Sequence, residues 1–302
     1  MHRLIALFFV LATLCLSGAA EAKLQVVATT ADLASVAKEV GGDRVDVMAI
    51  ALPTQDPHFV DARPHLALEL AKADLLLSVG LGLEVGWLPT LLTSSRNGRI
   101  QSGSPGNLDC SQFVKLLDVP ATKVDRSQGD IHPAGNPHYM FDPRQAARVA
   151  KGIAERLAQL DPSGRDAYKR QAIDFIRKLG AATKGWQKQL ARARGAKVVA
   201  YHRSFPYLAD WVGITIVEHI EPKPGIVPNP RHVAHVIEVV KQARVRAILQ
   251  EAFYPGKTSE LIAERTHIKL VRVPGAPDYQ NGQSYVAHMN RIVELLAGAC
   301  GP

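Results

Sequence analysis

Two imidazoles and two carboxylates, Asp130, His132, His138 and Asp142, fall within the stretch DIHPAGNPHYMFDP, residues 130–143. These are donor types that bind a divalent metal ion. Pro133, Pro137 and Pro143, with Gly135, forbid a continuous helix through the stretch. A loop stiffened in this way loses its ordering entropy at folding rather than at binding, which suits a preformed ion site. The ordinary alternative is a surface loop with common polar residues. A metal needs three or four ligands, so this reading requires partners elsewhere in the chain.

The elements that must position such partners are short apolar strands alternating with helices. Strands are predicted over 24–28, 45–52 and 74–79, and helices over 31–40, 62–72 and 84–92. Residues 97–127 are irregular and support only weak expectations. A helix over 143–160 carries Ala146, Val149, Ile153 and Leu157 on one face. In 163–194, Tyr168, Ala172, Phe175, Leu179, Ala182, Trp186 and Leu190 recur at three- and four-residue steps. That spacing predicts one helix of about 30 residues, ~45 Å long, enough to span two lobes. Ser163 can cap it and Gly195 can end it, while Gly180 and Gly185 weaken it. The α/β rhythm then restarts, with strands over 197–201, 214–217, 246–250 and 269–273 and helices over 231–242, 257–265 and 284–297. Such alternation means parallel α/β layers. The chain accordingly divides into an N-terminal α/β lobe at 23–162, a linking helix at 163–195 and a C-terminal α/β lobe at 196–302.

Ligands of parallel α/β domains lie beyond the carboxyl ends of the strands. His58 sits in a loop leaving a strand, His202 and Glu251 each follow a strand directly, and Asp278 lies in a Pro/Gly loop after another. With His138 this makes three imidazoles and up to two carboxylates, most of them at strand exits. His232 and His235, three apart near a helix start, are a weaker pair because Arg231 adjoins and no carboxylate is in step. His65, His219, His267 and His288 read as surface or packing residues.

The first 22 residues read as a cleavable export signal. His2 and Arg3 precede an apolar run from Leu4 to Ala20, and Ala20-Glu21-Ala22 offers the small residues of a cleavage site. Cys15 follows Leu14, where a lipid-attachment site wants a small residue, so no lipid anchor is expected. Export permits a disulfide, but Cys110 and Cys300 are expected as unpaired or surface thiols. Apolar content of 47% and charged content of 21% in 302 residues describe a chain with a substantial core. The net charge of +8 is spread along the chain without a basic run or a basic-aromatic module, which argues against nucleic acid as a partner.

The segments QDPHFVDARP around His58, GNPHYMFDP around His138, VVAYHRSFPYLADWVGI around His202 and LQEAFYPGKTSELIAERT around Glu251 together carry a likeness to one family. They resemble the periplasmic metal-binding receptors of zinc and manganese ABC transporters, over residues 23–297. The resemblance implies two α/β lobes joined by a single long helix, with the metal site in the cleft between them. It implies a periplasmic monomer, not an enzyme, that captures a divalent transition metal and hands it to an inner-membrane permease. His58, His138 and His202 match the family's metal ligands, and Asp278 best matches the fourth. Glu251 would orient the site or stand in as a ligand. Zinc members often carry a long His-rich acidic loop before the second histidine. Here only Asp130 and His132 have that character, and His132 is expected to deliver metal rather than hold it. The sequence GAPDYQNGQSY around Asp278 matches the family pattern loosely.

Three imidazoles and one carboxylate suit Zn²⁺, whereas Mn²⁺ prefers more oxygen ligands, so zinc is the expected ion and manganese the lesser alternative. A rival of another class is a cell-envelope zinc hydrolase with Glu251 as general base. It needs an open coordination position, and the chain has no HExxH motif.

Overall fold

A computed structural model describes residues 23–122, 129 and 131–300. The export signal with Cys15, and Asp130, lie outside the described residues. The first sheet contains β1 (Leu24–Ala28), β2 (Val45–Ala49), β3 (Leu75–Ser78) and β4 (Asn107–Asp109), in the order β2-β1-β3-β4. All its neighbours are parallel. It is threaded by α1 (Ala31–Gly41), α2 (Pro64–Lys72) and α3 (Leu88–Ser95). Then come α4 (Pro143–Leu160) and α5 (Arg165–Gln189). The second sheet contains β5 (Lys197–Ala200), β6 (Thr215–His219), β7 (Ala247–Glu251) and β8 (Lys269–Val273), in the order β6-β5-β7-β8, again all parallel. Its helices are α6 (Pro206–Val212), α7 (Pro230–Ala243), α8 (Lys257–Thr266) and α9 (Tyr285–Cys300). Both sheets therefore have the same order, and in each the chain turns outward in opposite directions from the same central pair.

The strands form where the sequence is continuously apolar. Every residue of β3 and of β7 is buried, as expected when helices cover both faces of a parallel sheet. Two elements escape the sequence pattern. β4 has three residues, of which only Leu108 is buried, too few to show a period. α6 is seven residues long with Tyr207, Leu208, Ala209, Trp211 and Val212 all buried, and the single exposed Asp210 is too little to reveal a helical repeat.

α5 has 25 residues and continues at each end as a 3₁₀ turn, Pro162–Gly164 before it and Leu190–Arg192 after it. The expected cap at Ser163 is displaced by two residues, to Asp161, which caps the leading 3₁₀ turn. Asp161 accepts from the Gly164 amide at 3.1 Å, and the Ser163 hydroxyl donates to that same carboxylate at 2.5 Å. Tyr168, Ala172, Phe175, Leu179 and Trp186 form the buried face of α5.

α5 is not the sole tie between the halves. α9 returns from the second sheet to pack on it: Tyr285 meets Phe175 edge-on, and Trp186 Nε1 donates to Asn290 at 2.6 Å. The Tyr285 hydroxyl donates to the Met140 carbonyl at 2.7 Å, and the Tyr279 hydroxyl to the Val47 carbonyl at 3.0 Å. One apolar cluster runs unbroken from Val26 and Leu77 in the first sheet to Leu249 and Val273 in the second. Cys110 and Cys300 are unpaired, and both are buried rather than at the surface.

Candidate metal centre

His58 follows β2 in the loop whose prolines, Pro53 and Pro57, stop it from extending the strand. The Asp56 carboxylate accepts from the His58 backbone amide at 3.0 Å and from its Nδ1 at 2.7 Å. Burial works against the Asp56 charge, but these hydrogen bonds and the imidazole beside it hold the carboxyl below its ordinary value. With Nδ1 committed as the donor, the Nε2 lone pair of His58 faces the interior. Trp87 Nε1 fixes the loop by donating to the Pro57 carbonyl at 2.9 Å.

His202 lies two residues beyond β5. Its Nδ1 lies 2.7 Å from Glu221 Oε2 in a buried pair, so Nε2 is again the free nitrogen. Glu221 stands two residues beyond β6 and also accepts from the Gly225 amide at 3.1 Å. His138 stands just before the 3₁₀ turn Tyr139–Phe141, and its loop is tied to the His202 loop by Asn136. Asn136 Oδ1 accepts from the His138 amide at 2.9 Å, while Nδ2 donates to the Arg203 carbonyl at 2.7 Å. His138 Nε2 is buried and has no hydrogen-bond partner among the described residues. Burial, reinforced by the neighbouring imidazoles, pushes the His138 ring well below its ordinary protonation range, so it offers a lone pair at neutral pH.

His58, His138 and His202 each offer one nitrogen, and these atoms all lie within 4.8 Å of one another. Their ring centroids are 5.2, 5.3 and 5.5 Å apart. Three imidazoles from three loops, far apart in sequence, thus converge where the two sheets' loops meet.

His132 stands at the edge of this group, with its Nε2 3.2 Å from that of His58 and its ring 6.5 Å from that of His138. Asp278 is not brought to the histidines. It is exposed in the loop after β8, where its carboxylate accepts from Asn281 Nδ2 at 2.8 Å. Asp142 is likewise elsewhere, capping α4 and accepting from the Arg144 amide at 2.8 Å. Glu251, the last residue of β7, is 2% exposed, and its Oε2 has no partner among the described residues. Burial pushes its carboxyl up to about 8, with the Ser204 hydroxyl offsetting part of the effect. The task of orienting His202, expected of Glu251, belongs to Glu221.

His232 and His235 do not form an ion site. His232 Nε2 faces the His219 carbonyl at 2.9 Å, and His235 pairs with Glu218 at 3.2 Å on the surface. Sequence reasoning missed Asp56, Glu221 and Asn136. The first two carry the same signal that marked the histidines, since both lie in loops leaving strands. Asn136 carried none, because its role depends on a backbone carbonyl far along the chain.

The geometry agrees with what comparisons show. The crystal structure of ZnuA superposes with a TM-score of 0.78 at 21% identity, covering 92% of this chain and all of that one. The Pseudomonas aeruginosa protein FpvC, solved in complex with Mn²⁺, superposes with a TM-score of 0.79 at 23% identity, covering 92% of this chain and 98% of that one. Among curated sequences, the Streptococcus anginosus manganese ABC transporter substrate-binding lipoprotein PsaA is 24% identical across 94% of this chain and 92% of its own. The Streptococcus pneumoniae zinc-binding lipoprotein AdcA is 22% identical across 92% of this chain and 56% of its own. The model of one family, the periplasmic component A of the zinc-uptake complex, matches residues 26–299. That match takes in both sheets and every histidine of the cluster, and the chain belongs to that family.

Proposed function

We propose that this protein captures a divalent transition metal in the periplasm, zinc above all, and delivers it to the permease of an ABC transporter. His58, His138 and His202 hold the ion. The observation that carries this reading is the convergence of three imidazole nitrogens within 4.8 Å. In two of the rings a carboxylate, half-buried for Asp56 and buried for Glu221, occupies Nδ1 and leaves Nε2 free. Family membership supports the role in uptake. The mature chain, released from its signal, works as a soluble monomer without a lipid anchor. Support for that is the Leu14-Cys15 context, which differs from what a lipid-attachment site wants; the curated relatives named above are themselves lipoproteins.

Zinc is favoured by the donor set. Imidazole suits Zn²⁺, and Mn²⁺ prefers oxygen, which no residue of the converging triad provides. Manganese is the second reading, because PsaA is named for it and FpvC was solved with it. Direct competition tests the choice. The chelated protein is offered equimolar Zn²⁺ and Mn²⁺, and bound metal is measured after desalting. One zinc per chain with manganese at background is the expected result, and preferential manganese loading overturns the zinc assignment.

A further inference from the structure

We propose that His132 is the fourth ligand, so that the ion sits among four imidazoles with no carboxylate bonded to it. This rests on the reading of the triad as a metal site and adds to it.

The first argument concerns protons. His132 Nδ1 lies 3.1 Å from the Leu81 carbonyl, which can only accept, so Nδ1 carries the ring proton. His58 Nδ1 carries its proton toward Asp56 for the same reason. In the neutral rings, the two Nε2 atoms at 3.2 Å are therefore lone pair facing lone pair. That contact is relieved by a cation between or beside the two nitrogens, either a metal ion or a shared proton. The backbone is shaped to hold His132 there. Gly80, Leu81 and Gly82 all have positive φ, at 78°, 55° and 86°. A non-glycine residue in that region is held only by its surroundings, and here Leu81 presents its carbonyl to His132.

The second argument is metric. With Zn–N bonds of about 2.0–2.1 Å, tetrahedral nitrogens are about 3.3 Å apart and imidazole centroids about 5.2 Å apart. The His58–His132 nitrogen separation is 3.2 Å. The ring separations are 5.3 Å for His58–His132, 5.2 Å for His58–His138, 5.3 Å for His58–His202 and 5.5 Å for His138–His202. The His132–His138 edge is longer, at 6.5 Å, and His132 stands outside the group whose nitrogens all lie within 4.8 Å of one another. Joining the ion as a fourth ligand therefore requires His132 to move inward, toward His138 and His202. Space for that exists, since His132, His138 and His202 line a common cavity of about 270 Å³.

The third argument is charge. Four neutral imidazoles leave the ion's double charge to be balanced from behind, and Asp56 and Glu221 supply two carboxylates, each through a Nδ1–H. The oxygen ligand expected from Asp278 is engaged elsewhere, with Asn281 at the surface. An all-nitrogen shell selects imidazole-preferring ions over Mn²⁺.

X-ray absorption at the zinc edge, which counts coordinated imidazoles, tests the proposal on the full mature chain and on His132→Ala and His132→Gln. Zinc affinity is measured in parallel by competition with a chelator. The expected result is four imidazoles in the parent, three plus an oxygen donor in either variant, and zinc affinity reduced about 100-fold or more, with Asp278→Asn unchanged. Three imidazoles in the parent and both variants, with affinity within about threefold, overturns the role of His132 but leaves the three-histidine receptor standing. Loss of affinity in Asp278→Asn but not in the His132 variants also overturns it, in favour of the carboxylate. A parent that binds no zinc removes both readings.

Discussion

Glu221→Gln separates the charge of the site's buried carboxylate from its geometry. Glu221 Oε2 accepts from His202 Nδ1 at 2.7 Å and from the Gly225 amide at 3.1 Å. A glutamine oxygen can take both hydrogen bonds, so its amide should keep the same orientation and His202 the same tautomer. What disappears is one negative charge. The path from the carboxylate through the imidazole to a bound ion is about 6.5 Å, and a carboxylate and a divalent ion at that distance attract by about 5 kcal/mol at an effective dielectric constant of ~20. The glutamine dipole restores part of this. Losses of partners behind metal ligands typically cost about 10–100-fold in affinity, or ~1.4–2.7 kcal/mol. The upper end is expected here because Glu221 is only 8% exposed. Zinc affinity by chelator competition should fall about 100-fold, with an unchanged far-ultraviolet dichroism spectrum and metal-free Tm. Glu221→Ala should cost more, because it also releases the tautomer. A Glu221→Gln protein within about threefold of the parent would refute the reasoning that a buried charge behind His202 stabilises the ion.

His138→Ala should weaken zinc by orders of magnitude, while His235→Ala, whose ring pairs with Glu218 on the surface, should not; equal effects in titration calorimetry would dismiss the triad. Protons compete with metal for imidazole, so affinity should fall with acid. Burial, then the charges of His58 and His202, lowers His132 to about 4, and burial holds His138 lower than its ordinary range. These two rings should therefore stay neutral through the range in which an ordinary histidine titrates. A plot of log Kd against pH with a slope of three or more protons between pH 7 and 5.5 would contradict that. Glu251 provides a stability test of opposite sign. Its folded carboxyl is raised to about 8 by burial, so the native state holds a proton that the unfolded chain releases near its ordinary value. The resulting stability is fully present at acid pH and declines as pH rises to about 8, by on the order of 4–5 kcal/mol. Glu251→Gln cannot ionise, and the Tm of the metal-free variant should gain on the parent between pH 5 and pH 8. A constant difference across that range would show that Glu251 is ionised throughout. Because one apolar core runs through both halves and α9 packs back on α5, small-angle scattering should give the same radius of gyration with and without zinc. A clear contraction on loading would mean that the core divides.

The alternation of strands and helices was legible because buried parallel strands must be continuously apolar. Leu75, Leu76 and Leu77 or Ala247, Ile248 and Leu249 can be little else. The long helix was legible for a related reason. Tyr168 to Trp186 keep one face of the 25-residue helix apolar, and only a helix buries that spacing. His58 and His202 were legible from a topological rule, since loops at the carboxyl ends of parallel strands are where side chains from separate segments meet, and His138 from the proline-stiffened stretch that carries it. β4 and α6 were not, because one is too short and the other too thoroughly buried to carry a period.

What only the tertiary structure decided is which polar group stands behind or beside each histidine. Glu221 and Glu251 both lie at strand exits of the second sheet, and nothing local says that Glu221 reaches His202 while Glu251 Oε2 meets no partner among the described residues. Asp278 lies in a loop that can turn either way, and its pairing with Asn281 turns it outward. His132 is six residues from His138, yet it is the Leu81 carbonyl, 51 residues away in sequence, that aims its ring at His58. Hydrogen-bond partners of this kind are set by distances of a few tenths of an ångström between segments far apart in the chain. Periodicity and composition carry the direction a side chain faces, but not the atom it meets.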